Sequence, residues 1–227
     1  MKQDKPDIYE ELRSRLIAAE FAAGSKLKPS DFQADYGCSA NTLRDVFFRL
    51  ASEGLADFHD QRGFRVPQIS RRKQHEITQM RIMLECEGAC LSIRFGGVGW
   101  ESRLTAVHHK LLHIERRIRT AEQAEKLLDF WMRAEDEFHL TLISACNSET
   151  LIRMHRMIYA QFRQQLLTAD RTFEFITENI AQHQAIVDAA VDGDEPGVRK
   201  AIYAHLKRNL SPEPLPALQP ELSASSM

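Results

Sequence analysis

The chain has 227 residues, 43% of them hydrophobic and 27% charged, with a formal net charge of −2. That is an ordinary globular composition with material for a sizeable core. No apolar run approaches the roughly 18 residues a bilayer span needs, so no membrane partner is expected. The opening MKQDKPDIYEEL has no apolar leader core, which makes the cytoplasm the expected location. Residues 1–72 hold 12 basic and 11 acidic side chains, and the remainder 18 and 21, so neither part carries the basic field that would announce nucleic acid. Any DNA contact must come from local placement. Cys38, Cys86, Cys90 and Cys146 show neither a CxxC pair nor zinc-ribbon spacing and read as buried thiols.

Residues 7–22 place Ile8, Leu12, Leu16 and Ile17 on one helical stripe, and Gly24 breaks it. KPSDFQADYG predicts a short second helix with Pro29 near its start, Ser30 as N-cap and Gly37 as its stop. Ser39 then caps a third helix running to about Ser52, buried by Leu43, Val46, Phe47 and Leu50 and stopped by Gly54. LADFHDQRGFRVPQI has strand-forming residues on either side of DQRG, a β-ribbon pattern. Three helices and a ribbon make a winged helix-turn-helix. A recognition helix buries one face while its N-terminal end enters the major groove, which explains the small polar opening Ser39-Ala40-Asn41-Thr42 with Arg44 just inside. On the helical wheel Asn41, Arg44, Asp45 and Phe48 lie away from the buried stripe. The residues expected to meet a duplex are Ser39, Asn41, Thr42, Arg44 and Arg49 in the third helix, and Arg62 and Gly63 at the ribbon tip.

AGSKLKPSDFQADYGCSANTLRDVFFRLASEGLADFHDQRGFRV resembles the GntR-type winged helix of bacterial transcription regulators. The matching positions are Gly24, Leu27, Gly37, Ser39, Thr42, Arg44, Leu50, Glu53, Gly54, Leu55, Arg62 and Gly63. The chain departs from that pattern at Ala40, where an arginine is frequent, at Asp31-Phe32, at Asp45, and at Phe48, a position usually polar.

From Arg71 onward the pattern changes to long helices, expected near 73–95, 101–119, 122–145, 149–168, 173–192 and 195–209. Their breaks are GGVG at 96–99, Asn147, the stretch near Asp170, and DGDEPG at 192–197. The expected fold class is mainly α: a winged helix-turn-helix over 1–70 and an all-α helical bundle over 71–210. A proline-rich tail, 211–227, reads as disordered. In RAEDEFHL, Glu135 and His139 share one helix face, with Asp136 a competing carboxylate. His183 and His205 flank the DGDEPG turn symmetrically, so an antiparallel hairpin would bring them to the same depth. One carboxylate and three imidazoles suit a divalent transition metal, zinc foremost, with nickel, iron or manganese also suited, rather than calcium. The other histidines, among them His108 and His155, read as ordinary hydrogen-bonded residues.

RIMLECEGACLSI, FHLTLISACNSETL and ENIAQHQAIVDAAVDGDEPGVRKAIYAHL resemble the FCD effector domain of the FadR subfamily. That resemblance implies a metal held through Glu135, His139, His183 and His205, with Glu where the family usually has Asp. It further implies a dimer on operator DNA, and a small carboxylate effector at the metal. Arg81 could supply the effector's counter-charge, and Asn179 a polar contact. The competing reading of Arg81 is an ion pair with Glu85 at i,i+4. The expectation is a ligand-responsive regulator and not an enzyme. The alternatives are a metal-dependent enzyme on a helical bundle, or a regulator whose metal is purely structural.

Overall fold

The structure is a computed structural model, and it describes residues 7–166 and 175–211. The N-terminal part runs α1 (Ile8–Ile17), β1 (Lys26–Leu27), α2 (Pro29–Tyr36), α3 (Ala40–Ser52), β2 (Asp57–His59) and β3 (Gly63–Arg65). Asp7 caps α1 by accepting from the Tyr9 amide at 3.0 Å. The cap of α2 is Lys28, with Pro29 in the first turn. Ser30 therefore lies inside the helix rather than at its cap, and its hydroxyl donates to Asp31 Oδ1 at 3.2 Å. Proline decides this: it lacks an amide hydrogen and is preset for the first turn, so the cap falls on the residue before it. Gly37 ends α2 at φ 59°, left-handed as expected. Ser39 caps α3, accepting from the Thr42 amide at 3.1 Å.

The ribbon is a three-stranded antiparallel sheet in the order β1-β3-β2, with Phe58 opposite Phe64 and Leu27 also opposite Phe64. The two-residue strand β1 has no periodicity that could have announced it. Leu12, Leu16, Leu27, Leu43, Phe47, Leu50, Leu55 and Phe64 form the core of this unit.

The second part comprises α4 (Arg71–Thr120), a 3-10 turn (Ala124–Leu127), α5 (Leu128–Leu142), α6 (Glu149–Leu166), α7 (Ile176–Val191), α8 (Glu195–Leu206) and a closing 3-10 turn (Lys207–Asn209). GGVG breaks the long helix, as expected. Two helical segments lie within Arg71–Thr120, and Gly97, at φ 56° and ψ −171°, leaves helical geometry and kinks the chain between them. The expected break near Asp170 lies outside the described residues, as does the tail beyond Ser211. Trp100, Leu104, Leu111, Trp131, Phe138, Ile186 and Ile202 centre a second core.

α6 touches both units. Gln161 Nε2 donates to Glu53 O at 2.7 Å, Gln164 Nε2 to Leu55 O at 3.0 Å, and Gln165 Nε2 to Gln68 O at 3.2 Å. Ala160 packs into the winged-helix core. The approach at Gly54 is so close that a Cβ there would lie 2.6 Å from Gln161 Nε2. No helix among the described residues is long and apolar enough to cross a membrane.

Candidate metal centre and nucleic-acid interface

Glu135, His139, His183 and His205 are all buried, and one ligand atom from each lies within 4.8 Å of the others. α5 supplies the first two, one turn apart, and α7 and α8 the others. The α7–α8 hairpin brings the His183 and His205 rings to 4.6 Å between centroids. It forms because Gly193 turns the chain at φ 72° and Asp194 caps α8 by accepting from the Gly197 amide at 2.9 Å. Asp136, the competing carboxylate, is exposed and is not one of the four.

Two of the imidazoles are hydrogen-bonded from behind, and the third lies near a carboxylate. His139 Nδ1 is hydrogen-bonded to Glu85 Oε2 at 3.0 Å, and His205 Nδ1 to Gln182 Oε1 at 3.0 Å. His183 Nδ1 lies 3.2 Å from Glu115 Oε1. The Gln182 amide is fixed in that sense because its Nε2 donates to Glu178 Oε1 at 2.7 Å. The partners of His139 and His205 are oxygen acceptors, which favours the proton on Nδ1 of those two rings and leaves their Nε2 lone pairs free. His183 Nδ1 makes no hydrogen bond among the described residues. The Nε2 atoms of His139 and His183 are buried and have no hydrogen-bond partner among the described residues. Glu135 is positioned in turn: Asn179 Nδ2 donates to its Oε1 at 3.2 Å, and Arg163 Nη1 lies 3.7 Å from its Oε2. One carboxylate and three imidazoles with free Nε2 atoms fit a divalent transition metal.

Around this set lies a charged shell. Arg81 Nε donates to Glu85 Oε1 at 2.6 Å, and His155 Nε2 reaches the same oxygen at 3.0 Å. The i,i+4 ion pair of Arg81 is thus present, yet its Nη2 stays buried without a partner among the described residues. The Arg81 guanidinium lies over the Tyr159 and Phe162 rings, and that of Arg163 over Trp131. Burial pushes the Glu85 carboxyl up, but Arg81 and the two histidines outweigh it and hold it well below the usual range. For Glu135 burial is likewise outweighed, by Arg163 and then by His183 and His139, and the carboxyl stays low. Glu115 is raised by burial, which His183 only partly offsets. Burial lowers His139 to about 4 against the pull of Glu85, and lowers His205 well below the ordinary imidazole, helped by His183 and His139.

Three of these partners escaped sequence reasoning. Glu115 stands on the Leu111–Ile118 apolar face of α4, and a carboxylate at a core position was the available signal. Gln182 gave none. His155, read as ordinary, joins the Glu85 network. A cleft of about 1310 Å³ opens between α1 and the α5–α6 pair and reaches Tyr159 and Arg163, but none of the four candidate ligands lines it.

On the N-terminal unit, Ser39, Asn41, Thr42, Arg44, Arg49 and Arg62 are all exposed, and Gly63 is half-buried at the ribbon turn. The Ser39 and Thr42 hydroxyls bond each other at 2.9 Å, so both contribute first to the cap. Asn41 and Arg44 face outward together. Arg49 is turned toward α1, its guanidinium 3.8 Å from the Tyr9 ring centroid.

The sequence model for bacterial regulatory proteins of the gntR family matches residues 5–66, and that for the FCD domain matches residues 76–208. The uncharacterized HTH-type transcriptional regulator BphR of Paraburkholderia xenovorans is 30% identical over 206 residues, covering 89% of this chain and 82% of that protein. The HTH-type transcriptional repressor GlaR of Escherichia coli is 27% identical over 213 residues, covering 92% and 94%. Among solved structures, E. coli McbR/YncC superposes with a TM-score of 0.72 at 18% identity over 92% of this chain and 96% of its own, which shows a common fold. These relatives are transcription regulators and not enzymes.

Proposed function

We propose that this chain, which belongs to the GntR family of bacterial regulatory proteins and carries an FCD domain, is a ligand-responsive regulator that binds operator DNA as a cytoplasmic homodimer. Residues 1–70 form its DNA-binding domain, with Ser39, Asn41, Thr42, Arg44, Arg49, Arg62 and Gly63 meeting the duplex. Residues 71–210 form its sensor, in which Glu135, His139, His183 and His205 hold a divalent transition metal. Two chains related by a two-fold axis present two recognition helices to the half-sites of a near-palindrome.

The observation that carries the sensing half is the convergence of one buried ligand atom each from Glu135, His139, His183 and His205, with His139 and His205 anchored from behind through Nδ1. A metal bound there would supply a Lewis-acidic centre for an oxygen ligand. The ionised Glu85 and Glu135 balance Arg81 and Arg163. A divalent ion therefore adds net positive charge to a buried space, and a small organic acid would offset it. The buried Arg81 Nη2, Arg163 Nη2 and Tyr159 hydroxyl, without hydrogen-bond partners among the described residues, are donors for such an acid. Asn179 serves it indirectly, by holding Glu135.

Metal analysis of the purified chain tests the site: about one transition-metal ion per chain is expected. Replacing His183 and His205 by Ala should abolish retention while duplex binding persists; a double variant that keeps its metal places the ion elsewhere. The full burial of all four ligand candidates favours a second reading, in which the ion only braces the bundle. Chelation would then lower the melting temperature, yet organic acids would leave DNA affinity unchanged.

A further inference from the structure

We propose that Phe48 is a specificity-determining residue that selects thymine through its 5-methyl group, a role resting on α3 serving as the recognition helix. Asn41, Arg44 and Phe48 are spaced i, i+3 and i+7, so they share the face of α3 opposite the buried Leu43–Phe47–Leu50 stripe, and all three are exposed. Isolated exposed apolar residues are common and mean little. Phe48 is not isolated. It keeps 41% of its surface exposed beside Phe58, which keeps 38%, and the two ring centroids lie 4.9 Å apart. Both rest on Phe64, at 4.8 and 5.0 Å, and buried Phe64 packs on core Phe47 at 5.5 Å.

The result is a continuous aromatic column from the core to the angle between recognition helix and wing, where it ends in an apolar platform. Its rings are already ordered, so contact made through them loses little side-chain entropy. Exposed Arg44 shares the helix face and exposed Arg62 sits at the wing tip. Exposed Asp45 shares that face and exposed Asp60 stands near Arg62, so net charge does not choose the occupant. The place of Phe48 beside Asn41 and Arg44 on the recognition helix does, and it favours a duplex over an apolar protein surface. Within the major groove the apolar group that a base edge presents is the 5-methyl of thymine. Arg44 and Asn41 read hydrogen-bonding edges nearby, and Phe48 adds a preference that no hydrogen bond can express.

The test uses the full chain. A preferred duplex is selected from a random pool, each thymine in it is replaced by uracil, and affinity is measured at fixed salt. At one thymine per half-site, loss of the methyl should weaken wild-type binding about fourfold, equivalent to about 0.8 kcal/mol for one buried carbon. Phe48→Ala should bind more weakly overall and be indifferent to that substitution. Arg44→Ala should bind more weakly yet keep the methyl effect. Phe58→Ala, which removes the lateral support and leaves Phe48 in place, should reduce the effect without abolishing it. The proposal is overturned if no thymine methyl matters to the wild type, if Phe48→Ala keeps the same sensitivity, or if Phe48→Ala changes self-association instead of base preference. Failure of the underlying reading looks different: no preferred duplex emerges, or Arg44→Ala binds as tightly as wild type.

Discussion

Glu85→Ala should be among the most damaging single substitutions in the helical bundle. The Glu85 side chain is fully buried and receives Arg81 Nε at 2.6 Å, His139 Nδ1 at 3.0 Å and His155 Nε2 at 3.0 Å. Its removal leaves the Arg81 guanidinium, 1% exposed, without its counter-charge. Breaking a buried pair in this way costs about 3–5 kcal/mol, because the remaining charge has lost both water and partner. For a chain of this size each kcal/mol moves the midpoint by about 2–4 °C, so melting should fall by roughly 6–20 °C. Loss of the anchor behind His139 should also weaken metal binding by about 10–100-fold. The assay is a thermal melt of metal-free protein at neutral pH, followed by metal titration of the folded variant. The control is Arg81→Met with Glu85→Met, which removes both charges while keeping volume and should recover much of the loss. A Glu85→Ala midpoint within about 2 °C of the parent, or a double variant less stable than Glu85→Ala, would refute the reasoning.

Acid should destabilise the metal-free fold through its buried imidazoles. His108 and His139 are both lowered to about 4 by burial, while the unfolded chain titrates near 6.5. A depressed folded value means that this stability is fully present above about 6.5 and is lost as pH falls toward about 4. Urea midpoints measured from pH 7.5 downward should therefore decline, and a rise on acidification would contradict the assignment. Gln164→Leu strands the Leu55 carbonyl, an effect of about 1–3 kcal/mol, and should raise amide exchange in the winged helix while metal retention is unchanged. Gly97→Ala meets no neighbouring atom within 4 Å, so space is not the obstacle. The backbone at φ 56° and ψ −171° should still make it about 1–3 kcal/mol less stable in denaturant unfolding; an unchanged midpoint would mean the kink relaxes.

Local chemistry made the winged helix legible. Ser39, Gly37 and the Leu43/Phe47/Leu50 spacing act within one or two turns, and each is found where a reading of single residues places it. The one misplaced cap has an equally local cause. Ser30 lost the cap to a position dictated by Pro29, whereas GGVG was legible as a break, since Gly97 leaves helical geometry there. Gly96 lies under the Trp100 ring and Gly88 against Ile143, so these glycines are places of close packing within a helix.

The site divides along the same line. Glu135 and His139 are visible because one helix turn joins them, and His183 and His205 because a hairpin reflects them about Asp194. Glu115, 20 residues before Glu135 on another helix, meets His183 only after the bundle closes. α6 shows how far such closure goes. Glutamine is a mostly exposed residue type, yet Gln161, Gln164 and Gln165 are all buried. One face of the helix carries His155, Tyr159, Phe162 and Arg163 against the metal-site shell, and the other carries the glutamines against backbone carbonyls of the winged helix. Glutamine suits that second face because each amide satisfies a carbonyl that burial would otherwise strand. Arg163 and Tyr159 thus stand on the same turns of α6 as the glutamines that hold the Glu53, Leu55 and Gln68 carbonyls. α6 is thus an element shared by the candidate metal-site shell and the winged helix, with its polar residues buried on both faces.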